Sequence, residues 1–351
     1  MSHLAVSFNS VVLQQYVRAG AHWRSHANNS DREQQCWDIE TYNHWLSIIA
    51  HEHNSDPTST RSGLDLFDSQ VFSSSHEKPW YSSAVLNFKS LPPVALPKGA
   101  REGHIFTSVM INPHMYLRYL LDTAVNLGAT VIRETLPKSS TLEGALRHAT
   151  NVLKFHNFHS RSTKAFSPPD PKIDAFVNAT GLGAHILVPD EAVYPIRGQT
   201  VTVKGEAKQN TTVDSKPTSS NRRSLEPLEP NITYVLPRPY SGTTILGGTK
   251  QAGNWNTTPE SETTKRILEN AKKWAPELLN AKGEFDVVSV QVGLRPGRTG
   301  GARVELERTG DFVVCHSYGH AGAGYQNSVG SARKVVELLH KHFGIDSEAK
   351  L

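Results

Sequence analysis

Two glycine-rich runs carry the residues best suited to chemistry. Tyr318-Gly319-His320-Ala321-Gly322-Ala323-Gly324-Tyr325-Gln326 stands between the apolar run Phe312–Cys315 and an amphipathic stretch from about Asn327 to Phe343. Glycines at a strand-to-helix turn let a flat ligand approach the backbone, and they leave amide N–H groups at the positive helix end for an anionic or electron-rich group. A plain tight turn satisfies the same spacing. The second run, Gly293-Leu294-Arg295-Pro296-Gly297-Arg298-Thr299-Gly300-Gly301, reads as a loop stiffened by Pro296 that holds two arginines. A rigid guanidinium grips a carboxylate in two parallel hydrogen bonds. Each arginine also fits the role of a surface ion-pair partner.

Other candidates are weaker. Val193–Thr200 reads as a turn leading into a strand Thr200–Val203, and turn chemistry explains it. Gly181-Leu182-Gly183 begins a dinucleotide fingerprint but has Ile186 where a third glycine is required. Cys36 and Cys315 lie far apart and match no CxxC spacing, so neither a disulfide framework nor a zinc site follows. His51-Glu52-His53 lacks the i,i+4 spacing that sets two imidazoles on one helix face, and it reads as a solvated loop. No metal is expected.

The elements that must position these residues are legible in part. Asp31 is placed to cap a helix carrying Trp37, Trp45, Ile48 and Ile49. Residues 53–104 suggest short strands and loops, with Ser83–Phe88 as one apolar island. Ile105–Val109 alternates like a strand. Pro113 then opens a helix with Leu117, Leu120, Leu121 and Ala124 on one face until Gly128 stops it, and Thr130–Ile132 resumes as a strand. Ala175–Val177 repeats the pattern ahead of Gly181, and strand-helix-strand is the grammar of an α/β layer. Residues 205–230, almost wholly polar, read as an exposed insertion loop. A hairpin follows over Ile232–Leu236 and Thr244–Gly248, then a helix over 260–274, strands at Val287–Val292 and Phe312–Cys315, and the final helix stopped by Gly344.

The chain has 351 residues, is 37% hydrophobic, and carries 37 Lys+Arg against 33 Asp+Glu, a net charge of +4 without a basic run. Nucleic acid is therefore a poor default partner. No stretch approaches the roughly 18 apolar residues of a membrane helix, and the N-terminus lacks the pattern of a secretory signal. The expectation is a soluble, intracellular protein.

Seven islands taken together resemble one family. AGAHW (19–23), FVNATGLGA (176–184), VYPIRGQT (193–200), YVLPR (234–238), ILGGT (245–249), VGLRPGRTGG (292–301) and HSYGHAGAGYQNS (316–328) are similar, in this order and at comparable separations, to the fungal D-amino-acid oxidases. The resemblance runs from about residue 19 to the C-terminus. It implies FAD as cofactor and membership of the wider glycine oxidase and glutathione-reductase-like group. Arg295 would bind the substrate carboxylate, Tyr234 would hydrogen-bond it, and the Gly322 carbonyl would meet the amine. Backbone over Ala321, Gly322, Ala323, Gly324, Tyr325 and Gln326 would line the pyrimidine end of the flavin, with Thr180 and the pair Ala19-Gly20 also on FAD. The implied reaction is oxidative deamination of D-amino acids to α-keto acids and ammonia by hydride transfer to flavin, with oxygen as second substrate and hydrogen peroxide as product. A D-aspartate oxidase is the near alternative and would need a further cation facing the substrate side chain. The rival is a flavin-free relative that binds small carboxylates without turnover.

The implied fold is α/β: a discontinuous Rossmann-like FAD domain over 1–27, 125–200 and 291–345, and an α+β substrate domain over 28–124 and 201–290 with a mainly antiparallel sheet. A homodimer is the candidate assembly. Ala349-Lys350-Leu351, within a tail over 346–351, is a variant of the Ser-Lys-Leu address, so the import receptor and the peroxisomal matrix are expected. One departure stands out. The family opens with a strand, GxGxxG and a helix, whereas residues 1–18 contain no glycine. The expectation is that this first strand and helix are missing, with Val6–Phe8 or Val11–Leu13 able to supply a strand in the gap.

Overall fold

The computed structural model describes residues 4–8, 20–55, 60–159, 173–215 and 231–345. Ala19, residues 11–13, most of the polar stretch 205–230 and the Ala349–Leu351 tail lie outside them. In chain order the strands are β1 Leu4–Phe8, β2 Ala21–His22, β3 Leu64–Ser73, β4 Lys89–Ser90, β5 Glu102–Ile111, β6 Thr130–Glu134, β7 Phe176–Asn178, β8 Val193–Lys204, β9 Asn210–Ser215, β10 Asn231–Arg238, β11 Thr243–Gly247, β12 Gln251–Ala252, β13 Val287–Arg298, β14 Arg303–Thr309 and β15 Phe312–Tyr318. The helices are α1 Arg32–Ser55, α2 Pro113–Asn126, α3 Leu142–His159, α4 Ala184–Leu187, α5 Ser261–Lys272 and α6 Ser328–Phe343.

One ten-stranded sheet dominates, in the order β12-β8-β11-β10-β9-β3-β5-β2, with β13 also paired to β8 and β4 to β5. It is antiparallel except where β3 meets β9. Two small sheets stand apart from it: β1 runs parallel to β6, and β7 runs parallel to β15 beside the β14–β15 hairpin. Leu4–Phe8 thus does supply a strand, and among the described residues it pairs with β6 and not with β7.

The aromatic core sits under α1. Trp23, Trp45, Phe106 and Tyr116 are almost wholly buried there, and the Trp45 indole donates to the Tyr116 hydroxyl at 2.8 Å while Tyr42 donates to the Thr107 carbonyl at 2.7 Å. Asp31 caps α1 as expected, accepting from the Gln34 amide at 3.1 Å. Across its other face α1 meets α6. A Cβ at Gly330 would collide with the Trp37 backbone, so a glycine sets this close approach, and the Gly330 amide donates to Thr41. A second apolar core, including Val201, Val203, Val235, Leu246 and Ile267, lies between the sheet and α5.

Several expectations are corrected. His51-Glu52-His53 is the last turn of α1, and Glu52 accepts from the Arg61 and Ser62 amides at 3.1 and 2.9 Å. Ser83–Phe88 forms the end of a 3-10 helix, Trp80–Ser83, and a turn. Residues 64–73, in a stretch too irregular to assign, form the full strand β3. Residues 210–215 are no exposed loop but a central strand: Asn210, Thr211 and Thr212 are buried, and Asn210 donates to Ser69 at 3.0 Å. Val193–Thr200 and Gly293–Arg298 are likewise strand, as the next section describes.

Candidate active site

Strands β8 and β13 pair over almost their whole lengths, with Gly293 opposite Gly198, Arg295 opposite Ile196, and Pro296 opposite Pro195. Two prolines face to face donate no ladder bond, which suits a non-hydrogen-bonded pair and explains why the prolines do not break the strands here. Arg295 therefore rides on a strand, not on a loop. Its guanidinium lies over Gly198, where any Cβ would collide with it, so the glycine of Arg197-Gly198-Gln199 is a seat for the arginine.

The expected triad converges. Arg295 hydrogen-bonds the Tyr234 hydroxyl and donates from Nη1 to the Thr249 carbonyl at 3.3 Å. Tyr234 packs flat on Gly247 and Gly248, at whose positions a Cβ would meet its ring. Desolvation raises its pKa and the Arg295 charge offsets part of that, so the phenol stays neutral and able to donate. A Cβ on Gly322 would lie 3.7 Å from Arg295 Cδ, which places the glycine turn against the same arginine. Among the described residues Arg295 forms no ion pair with a carboxylate. Arg298 behaves otherwise: it pairs with Asp190 at 2.9 Å, the structural role both arginines could have had.

The remaining expected residues group around the three-stranded sheet. Because β7 and β15 are parallel, Thr180 and the 319–326 turn leave the same sheet edge, the usual position of a ligand crevice in α/β folds. Thr180 Oγ1 donates to Asn178 at 2.7 Å, and Asn178 bonds His316 at 3.1 Å, tying β7 to β15. In the turn, Gly319 has φ +85 and Ala321 φ +51. Gln326 and Asn327 donate to Asp38 Oδ1 at 3.3 and 2.5 Å, and Ser25 donates to Oδ2 at 2.5 Å. Asp38 thus joins the glycine turn to the loop after β2. Burial raises its pKa to about 7 against the lowering effect of those hydrogen bonds. Tyr325 faces the aromatic core, its ring 6.5 Å from that of Tyr116. Gly20 fits between Ile245 and Leu236.

The turn fits the reactive end of a flavin. A Cβ on Gly324 would meet nothing within 4 Å, Gly322 is exposed, and the buried His320 Nδ1 has no hydrogen-bond partner. No comparable glycine cradle for a pyrophosphate occurs in residues 1–18.

Sequence reasoning missed the residues around the mouth of the site. His26 is open to solvent, yet desolvation by the surrounding protein is the largest cause holding its pKa well below the usual value. Arg24, Lys250, His22 and Arg295 lower it further. Burial, then Arg24, holds the His22 pKa down to about 3. Nothing local marks these residues; only β2, β11 and β13 bring them together.

A family described as FAD dependent oxidoreductase matches residues 14–338. The chain belongs to the FAD-dependent oxidoreductase family. Among characterised relatives of this oxidoreductase, the D-amino-acid oxidase of Fusarium vanettenii is 34% identical over 76% of this chain and 66% of its own, just under two thirds of that protein. The D-aspartate oxidase of Cryptococcus neoformans is 30% identical over 92% of this chain and 84% of its own, and the D-amino-acid oxidase of Schizosaccharomyces pombe is 30% identical over 91% and 82%. Among solved structures, glycine oxidase from Bacillus cereus superposes with a TM-score of 0.62 at 15% identity, covering 95% of this chain and 88% of that one, which bears on the fold alone. The expected α/β class and the FAD cofactor are in keeping with this membership.

Proposed function

We propose that this FAD-dependent oxidoreductase oxidises D-amino acids to imino acids, which water converts to α-keto acids and ammonia. The observation that carries the reading is Arg295: a guanidinium without a carboxylate partner among the described residues, seated over Gly198, bonded to Tyr234 and touching the Gly322 turn. A rigid, unpaired guanidinium beside a neutral phenol is a carboxylate receptor. Arg295 would take the substrate carboxylate in two hydrogen bonds while Tyr234, accepting from Arg295, donates its proton to the same carboxylate. The exposed Gly322 carbonyl would accept from the amine and so fix which face of Cα is presented. When bound, FAD supplies the two-electron acceptor, with oxygen as the terminal oxidant. The protein's part is orientation, and no general base is required of it.

The D-aspartate reading remains a second reading, since relatives bearing that name match nearly as well. The test is the visible spectrum of the chain supplied with excess FAD and desalted, before and after anaerobic D-alanine and D-aspartate. A retained flavin band that bleaches supports the oxidase. Loss of the band on desalting would favour the flavin-free carboxylate binder.

A further inference from the structure

Resting on the reading that the 319–326 turn faces the flavin, we propose that Asp38 is a positioning residue for the cofactor, a carboxyl on α1 that holds this turn in shape through Gln326 and Asn327.

The sequence supplies a stripe for the purpose. Gln34, Trp37, Asp38 and Thr41 fall at i, i+3, i+4 and i+7, so α1 presents them on one face, and that face meets the turn and the start of α6. Gln34 donates to Asn327 Oδ1 at 3.4 Å, the Trp37 ring lies 5.9 Å from that of His320, and Thr41 Oγ1 accepts from the Val329 and Gly330 amides at 3.2 and 3.3 Å. Asp38, fully buried at the centre, takes the Gln326 and Asn327 amides on Oδ1 and the Ser25 hydroxyl on Oδ2. Burying a carboxyl is costly, and Asp38 has no ion pair among the described residues, so hydrogen bonds provide the compensation.

Asn327 gives the sharper sign. It occupies the N-cap position of α6 and is of a type that caps well, yet its side chain makes no cap bond. Thr41 serves the first amides of α6 from across the interface, which frees Asn327 for Asp38. The turn needs such support: Ala321, with φ +51, holds a conformation that residues other than glycine rarely adopt and that persists where its surroundings fix it.

The direction of each bond makes the carboxyl hard to replace. Ser25 Oγ already accepts from the Trp80 indole at 2.8 Å and the Ala27 amide at 3.1 Å, so its one proton goes to Asp38. An amide nitrogen in place of Oδ2 would face an oxygen with no acceptor capacity left. In place of Oδ1 it would face two donors, and Asn327 cannot turn round without losing the bond it accepts from Gln34. Asp38→Asn therefore keeps the size and loses the fit, whereas Asp38→Asn combined with Asn327→Asp exchanges donor for acceptor and restores the pair.

The test titrates FAD into the flavin-free chain, followed by quenching of flavin fluorescence, with denaturant unfolding of the same flavin-free samples alongside. FAD affinity should fall about tenfold or more in Asp38→Asn and return to within about threefold of the unaltered value in the exchange variant. Thr41→Val loosens the same pair of helices without touching the turn, so it should lose stability and keep its FAD affinity. Gln326→Leu is the milder arm, because Asn327 and Ser25 still serve Asp38, and it should weaken FAD by about threefold. Unchanged FAD affinity in Asp38→Asn and Gln326→Leu, equal weakening in Thr41→Val, or a folded exchange variant that recovers nothing would overturn the inference while leaving the flavin reading of the turn standing. Failure of the unaltered chain to bind FAD would remove that reading and the inference with it.

Discussion

The ten-stranded sheet and the two small sheets are built to different standards. In the large sheet, β8 is flanked by β11 and by β13, and helices cover two apolar cores. The β1–β6 pair is two strands wide, and of β6 only Ile132 is buried. In the three-stranded sheet Val177 on β7 is about half exposed, and a pocket of about 320 Å³ between β6 and α3 is lined by Glu134, His148 and Phe155. The proposed substrate grip thus stands on multiply paired strands, whereas the expected dinucleotide end rests on few. A carboxylate clamp needs its donors held to a fraction of an ångström, which a wide sheet provides. A narrow two-stranded unit opens more readily.

The largest effect that sharpens this contrast is expected at Arg295. Arg295→Ala should weaken benzoate binding by about 100-fold or more, because it removes the guanidinium and leaves Tyr234 facing the carboxylate alone. A benzoate titration followed by flavin absorbance or calorimetry measures it, and unchanged affinity would sink the assignment. In the fold itself, Trp45→Ala should cost about 3–5 kcal/mol in denaturant unfolding, through lost burial and the bond to Tyr116. Ile132→Ala, in the thin unit, should cost about 2 kcal/mol or less. If the two cost the same, the small sheets are as integral to stability as the large one.

Asp38 joins the glycine turn to the loop after β2, and its titration gives a pH-dependent signal. Its folded pKa is raised from 3.8 to about 7. Over that window the native carboxyl holds a proton that the unfolded chain has released, so stability should fall as pH rises from about 4 to about 7, by at most about 1.4 kcal/mol per unit. Asp38→Asn should flatten that slope. A slope of opposite sign would mean that the hydrogen bonds from Ser25, Gln326 and Asn327 outweigh desolvation. The smallest effect on the fold belongs to Gly324→Ala. With φ −54 and open space around its Cβ, stability should change by no more than about 0.5 kcal/mol, while FAD affinity should drop if the turn faces the isoalloxazine. Unaltered FAD retention would place the flavin elsewhere.

Much of this was legible from local pattern. Pro113 and Gly128 bracket α2 closely, and Gly344, with φ +63, ends α6 where the glycine stood. Arg295, Tyr234 and Gly322 were named by their motifs, and the structure brings them together. What misled were residues whose local chemistry speaks for turns. Pro195 and Pro296 read as loop-makers, yet each sits opposite the other, where neither lacks a partner. Asn210–Ser215 read as loop because it is polar, yet Asn210, Thr211 and Thr212 are buried in a strand between β10 and β3, and β3 is remote in sequence.

The sequence by itself determined the bounds of α2 and α6, the glycines at their stops and the choice of Arg295 as the candidate carboxylate receptor, because these depend on conformational preference and residue type at one place in the chain. Only the tertiary structure decided which arginine stays without a carboxylate partner among the described residues, that Gly198 is its seat, and that Arg24, Lys250 and Arg295 act together on His26. Those facts depend on strand register and on the sum of charges from segments more than two hundred residues apart, and no local pattern encodes either.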